Sequence, residues 1–95
     1  MLYSVELGKN IVELRTLEDI TQEQLALRSN ISVSYLRQIE HGRVNPTIDM
    51  LESIARTLRV DLITLFLYSM KMEEIKARLE KSKENAARAK EKALV

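Results

Sequence analysis

Arg37 and Gln38 stand side by side near the end of a short helical signal, and they hold the clearest recognition chemistry in the chain. A guanidinium presents paired donors that suit guanine, and a carboxamide presents a donor and an acceptor that suit adenine. Each such pairing discriminates against a wrong base by about 1 to 3 kcal/mol. On an arbitrary helix the same two residues are solvated surface, so their surroundings must decide. Those surroundings are Gln22 to Ile39, QEQLALRSNISVSYLRQI, which read as two helices joined by a turn of three or four residues. That arrangement presents a helix to the major groove of DNA.

Catalytic chemistry finds little material. One histidine, two glycines (Gly8 and Gly42) and no cysteine leave no nucleophile and base at recognisable spacing and no glycine-rich phosphate loop. The chain is expected not to be an enzyme and to need no metal or other cofactor. His41, alone, is a poor metal ligand and more plausibly a helix-end residue beside phosphate.

The elements that must position Arg37 and Gln38 are marked by caps. Thr21 caps a helix through its hydroxyl, and Gln24 reaches back to complete a capping box, with Ile20 and Leu25 as the hydrophobic staple. Leu25 and Ala26 face inward, and Ala26 is small where another helix must cross at close range. Asn30 ends this helix where a left-handed backbone is wanted. Ser32 caps the next helix, with Ile31 and Leu36 as its staple. Leu36 and Ile39 form the buried stripe, which leaves Val33, Ser34, Arg37, Gln38 and His41 facing outward, and Gly42 stops the helix.

On either side the same logic holds. Leu7, Ile11, Leu14 and Leu17 recur at helical spacing and predict a first helix over about Ser4 to Leu17. Arg43 to Pro46 is a loop, Thr47 caps a fourth helix lined by Leu51, Ile54, Ala55 and Leu58, and Asp61 caps a fifth that staples Val60 to Leu65. Residues 1–69 are thus expected to form one all-helical domain, and residues 70–95 a charged helical extension.

The 95 residues suffice for one small domain, held by apolar burial because no cysteine is present. The longest wholly apolar run is Leu65 to Tyr68 and no basic-then-apolar leader opens the chain, so a soluble, cytoplasmic protein is expected, with no membrane partner. Charge is uneven. Residues 1–69 carry seven Lys or Arg against nine Asp or Glu, and residues 70–95 carry eight against five. A mildly acidic domain argues against strong nonspecific DNA binding and for a few placed cations, among which Arg28, Arg37 and Arg43 are well sited.

Two segments offer surfaces for partners. Leu62, Ile63, Leu65, Phe66, Leu67, Tyr68 and Met70 surround more than one face of the fifth helix, so a two-fold dimer interface along Ile63, Leu67 and Met70 is expected; the plainer alternative is that this helix is the centre of the core. In the extension, Met72, Ile75, Leu79, Ser82, Ala86, Ala89 and Ala93 follow alternating steps of three and four, a heptad seam of which only the first three members are large. It reads equally as a short dimerising helix with a frayed end or as a solvated arm.

With these residues in place, the chain resembles the XRE-type helix-turn-helix family of phage repressors and Cro proteins, which includes restriction-modification controller proteins and SinR-like regulators. The likeness covers roughly Leu7 to Phe66 and rests on TQEQLA, SYLRQIEHGRVNPT and the following IA-containing helix, in family order and spacing. It implies an all-α, five-helix, lambda-repressor-like bundle and a transcriptional regulator, a repressor or an autoregulated controller, that binds an inverted-repeat operator as a homodimer, with its third helix in the major groove. Position by position, it offers Ser32, Val33, Ser34, Arg37 and Gln38 for base contacts and Gln22, Asn30, Tyr35, Arg43 and Asn45 for the sugar-phosphate backbone. It also pairs Arg15 with Glu40 as a structural ion pair. The chain departs from the family in carrying Asp19 and Asn30 where glycines are common, and in its extension, to which no family role transfers. The rival reading is a protein-interaction module or antitoxin-type regulator, in which residues 70–95 bind a protein partner. Acidic Glu18, Asp19 and Glu23 around the second helix would suit contact with polymerase in an activator, or are solvated surface.

Overall fold

The computed structural model describes residues 2–94, with side chains described for residues 3–89. Five helices follow one another: α1 (Leu2–Leu17), α2 (Gln22–Arg28), α3 (Val33–Glu40), α4 (Ile48–Thr57) and α5 (Leu62–Leu94). No strand occurs among the described residues.

The sequence marks the starts of α2, α3, α4 and α5 with an oxygen-bearing side chain, and each of these four expected caps forms. The hydroxyls of Thr21, Ser32 and Thr47 accept from the amides of Gln24, Tyr35 and Met50, and Gln24 returns a bond to the Thr21 amide at 3.0 Å. The Asp61 carboxylate accepts from both the hydroxyl and the amide of Thr64, and these two bonds, hydroxyl first, hold its pKa below the ordinary value.

The helix ends share one device. Asp19, Asn30, Gly42 and Arg59 each take a left-handed backbone, with φ of 56°, 58°, 70° and 61°. The residue after each donates its amide five positions back: Ile20 to Arg15, Ile31 to Ala26, Arg43 to Gln38 and Val60 to Ala55. These are Schellman endings, which satisfy carbonyls that the last turn would otherwise strand. Asp19 and Asn30 therefore do the backbone work of the glycines they replace. Arg59, which carries no sequence signal for this conformation, does so with a long side chain in place.

One core joins the elements. Leu7, Ile11 and Leu14 from α1 meet Leu25, Leu36, Ile39, Leu51, Ile54, Leu58 and Leu65, all buried. Leu17 differs from expectation and is 69% exposed. It is the last residue of α1, where the helix has run past the neighbours that cover its inward stripe, and it lines a shallow apolar depression with Val12, Thr16 and Tyr68. Asn10 is instead fully buried, donating its amide to the carbonyl oxygens of Leu65 at 2.7 Å and Phe66 at 3.2 Å and so tying α1 to α5.

The tightest crossing lies between α1 and α3. A Cβ placed on Gly8 would meet the carbonyl oxygens of Glu40 and Ile39, the second at 2.6 Å. Alanine in a helix interior is ordinarily worth about 1 kcal/mol over glycine, but here its methyl would collide with backbone. Gly8→Ala is expected to destabilise the domain by at least about 1 kcal/mol and to lower Tm by roughly 4 °C or more in thermal unfolding. An unchanged or raised Tm would show that the two helices do not need this contact.

Candidate nucleic-acid interface

The turn between α2 and α3 is short because both of its ends are built in: the Schellman ending at Asn30 runs directly into the Ser32 cap. Leu36 and Ile39 then seat α3 in the core, each with at most 1% exposure, and the amphipathic pattern leaves Ser34, Arg37, Gln38 and His41 exposed. Val33, expected to face outward, is half-buried and packs against the core at the start of α3. Tyr35 also packs its ring there. Ser32 stays exposed, but its oxygen is occupied as the cap.

A polar network fixes the far end of α3. The Glu40 side chain is 3% exposed and accepts from Arg15 through Nε at 2.9 Å and Nη2 at 3.2 Å. Arg15 also donates Nη1 to the Ile20 carbonyl at 3.2 Å, which ties the pair to the turn that precedes α2. The Gln22 amide donates to the same carboxylate at 2.6 Å, so α1, α2 and α3 converge on one anion. A carboxylate so nearly removed from water is tolerable because its lone pairs are met by charged and neutral donors.

Gln22 also accepts from Arg37 Nε at 3.4 Å, and Arg37 lies 3.8 Å from Glu23. Gln22, which the family resemblance offers for the sugar-phosphate backbone, thus bridges the buried pair and the exposed Arg37. Because Arg37 and Glu23 are more than half exposed, that second link is weak and Arg37 can be redirected at little cost. No sequence signal announced Gln22's bridging or Asn10's burial, since both depend on helices brought together from distant positions.

The remaining expected contacts surround α3. Asn30, Arg43 and Asn45 are exposed, and the Asn45 side-chain Oδ1 accepts from the Ser4 hydroxyl at 2.6 Å, which ties the loop after α3 to α1. His41 sits at the α3 C-cap with Nδ1 2.6 Å from the Arg37 carbonyl. Among the described residues, no group of three or more acidic, histidine or cysteine side chains is placed to hold a metal, and no helix is long and apolar enough to cross a membrane.

Five helices, the last four capped at their starts, with an exposed polar face on the third define a helix-turn-helix domain. The chain belongs to the helix-turn-helix family HTH_3, which matches residues 11–65. It is 40% identical over 58 residues to the HTH-type transcriptional regulator y4dJ of Sinorhizobium fredii, itself uncharacterised, across 61% of this chain and 75% of that one. It is also 40% identical over 55 residues to the immunity repressor of Bacillus phage phi105, covering 58% of this chain but only 38% of the repressor. Among solved structures, the restriction-modification controller protein C.AhdI of Aeromonas hydrophila superposes with a TM-score of 0.67 at 30% identity. The match takes in all of C.AhdI and 70% of this chain, so the remainder of this chain has no counterpart there. The protein is a transcriptional regulator with a helix-turn-helix DNA-binding domain.

The Arg15–Glu40 pair generates a stability test. Removing one partner of a buried pair strands the other, at a cost of about 3 to 5 kcal/mol. Glu40→Ala should therefore lower Tm by more than about 10 °C, whereas Arg37→Ala, which breaks only exposed links, should cost less than about 1 kcal/mol. Equal melting of the two variants would remove the structural role given to Glu40.

Proposed function

We propose that this chain recognises a specific inverted-repeat operator as a homodimer, each copy laying α3 in a major groove. The observation that carries the reading is the seating of α3. Its inner face is locked by Leu36, Ile39 and Glu40, while Ser34, Arg37 and Gln38 stand exposed on a helix too short and too well capped to rotate. Arg37 and Gln38 then read base edges, Ser34 assists, and the half-buried Val33 touches a thymine methyl at most with its outer edge. Ser32 contributes through a hydroxyl hydrogen while its oxygen serves the cap. Asn30, Tyr35, Arg43 and Asn45 are assigned to the sugar-phosphate backbone, joined by Gln22, whose helix start also presents amides to phosphate. The protein acts in the cytoplasm, where its operator lies.

The dimer is assigned to α5. Ile63 and Met70 are 62% and 64% exposed, and Leu67 lies between them on one line. Tyr3 and Phe66 flank that line and, with Glu6, Leu67 and Met70, form a continuous apolar concavity. Exposed apolar surface of this extent next to a core is best covered by a second copy. Residues 1–69 serve as the DNA-binding domain and residues 70–95 as an arm of separate use. The interaction-module reading is favoured by one observation only, the seam on that arm.

In-vitro selection from random duplex DNA at near-physiological salt is expected to enrich an inverted repeat, and Arg37→Ala combined with Gln38→Ala to abolish the enrichment. Failure of the folded wild-type protein to enrich any sequence would count against operator recognition. Leu67→Asp is expected to halve the mass in sedimentation equilibrium while leaving helical circular dichroism intact, and to weaken operator binding. An unchanged mass would move the dimer interface elsewhere.

A further inference from the structure

Charge on the projecting part of α5 is sorted in a way that operator binding does not use. From the buried Leu65, steps of three and four lead through Tyr68, packed against the core, to Met72, Ile75 and Leu79. Met72 is half-buried, but Ile75 and Leu79 are 44% and 57% exposed. The seam is therefore the core-facing stripe of α5, prolonged past the helices that cover its first part. It continues as the small residues Ser82, Ala86 and Ala89.

On the heptad frame set by Met72 and Ile75, the positions that border the seam are Lys71 and Arg78 on one side and Lys76 and Lys83 on the other. Only Asn85 interrupts this run among the side chains described. The acids Glu73, Glu74, Glu80 and Glu84 all fall on outer positions. Arg78 reaches Glu74, one turn away on its own helix, at 3.2 Å, but the two side chains are 76% and 65% exposed, so this pair restrains it weakly.

Border positions choose the partner of a heptad seam. Two copies of this arm, parallel or antiparallel, would set Lys and Arg against Lys and Arg, which opposes pairing where the seam has only three large side chains to offset it. We propose that the arm binds an amphipathic helix of a different protein, one whose own apolar seam is bordered by Asp or Glu. A lipid surface suits the arm less well, because its apolar stripe is narrow and residues 70–95 hold no aromatic side chain. The small residues at Ser82, Ala86 and Ala89 instead admit a second helix backbone at close range. On the helical wheel the line of Ile63, Leu67 and Met70 lies on roughly the opposite side of α5, so a second copy and the acidic helix can be held together.

The test uses the intact chain and two labelled synthetic helices with identical Leu and Ile seams, one bordered by Glu and the other by Lys, followed by fluorescence anisotropy. The Glu-bordered helix is expected to bind at least about tenfold tighter, the combined effect of several exposed ion pairs, and to weaken as salt is raised. K76E, R78E and K83E together should reverse the preference. I75D with L79D should abolish binding of either helix while the melting of the domain stays unchanged. The proposal is overturned if neither helix binds, if both bind equally, or if the charge-reversed protein keeps its preference. It is equally overturned if L79C forms efficient disulfide-linked homodimers, or if vesicles of phosphatidylcholine and phosphatidylserine capture the protein through Ile75 and Leu79 while the Glu-bordered helix does not. Operator selection on the same seam variants reads the DNA function separately, so either proposal can fail alone.

Discussion

The carboxylate of Glu40 is the point on which the arrangement of the first three helices turns. It ends α3, it is 3% exposed, and it is held by Arg15 from α1 and Gln22 from α2. About two turns further back along α1, Gly8 lets that helix approach the last carbonyls of α3 to a distance that a single methyl would forbid. These two features act together, because the close crossing brings Arg15 within reach of Glu40 and the ion pair holds the crossing shut. A charge is a costly clamp compared with another leucine. What it adds is direction, since a bidentate guanidinium and carboxylate tolerate little rotation, and any rotation of α3 about its axis would re-aim Arg37 and Gln38.

The short helices need this help. α2, α3 and α4 have 7, 8 and 10 residues, lengths at which an isolated helix does not persist in water. Each is bounded by an oxygen cap at its start and a left-handed Schellman residue at its end, so few backbone groups are left unmet where the chain turns. The apolar residue that follows three of these four endings, Ile20, Ile31 or Val60, also inserts into or against the core. Turn chemistry and core packing are thus performed by neighbouring residues, and the loops cannot lengthen or slip without pulling an apolar anchor.

That coupling explains which parts of the molecule were legible in the sequence. Thr21, Ser32, Thr47 and Asp61 act on amides three residues away, so local spacing sufficed to place the starts of α2 to α5, whereas α1, which has no such cap signal, begins at Leu2 and not at Ser4. Leu36 and Ile39 were legible for the same reason, as a periodic stripe within one short helix. Leu17 was misplaced because spacing alone does not show where a helix runs out of neighbours. Val33 faces outward by periodicity, yet the turn before α3 folds it back toward the core. Gln22 and Asn10 were beyond sequence reasoning: their partners lie 18 and 55 residues away, and nothing in an isolated Gln or Asn signals a buried bridge. The family likeness supplied the Arg15–Glu40 pair, which spacing alone would not have.

The same contrast between local and distant order bears on α5. Within the domain its inward stripe is satisfied by α1 and α4, and Asn10 fastens its backbone at Leu65 and Phe66. Beyond Met72 the helix continues without those neighbours, and the molecule reaches 63 Å along its longest axis against 27 and 18 Å across the others. A projecting helix of this kind is stabilised mainly by its own propensities and by pairs such as Glu74 with Arg78, each worth only tenths of a kcal/mol. Keeping a regular apolar seam there, with cations along its borders and acids held away from them, does nothing for the solubility or helicity of an isolated arm that a random mixture of the same residues would not do. The sorting acquires a physical consequence only when a second surface lies against the seam. Its sign then decides what that surface can be, because cations on both borders repel another copy and attract acids.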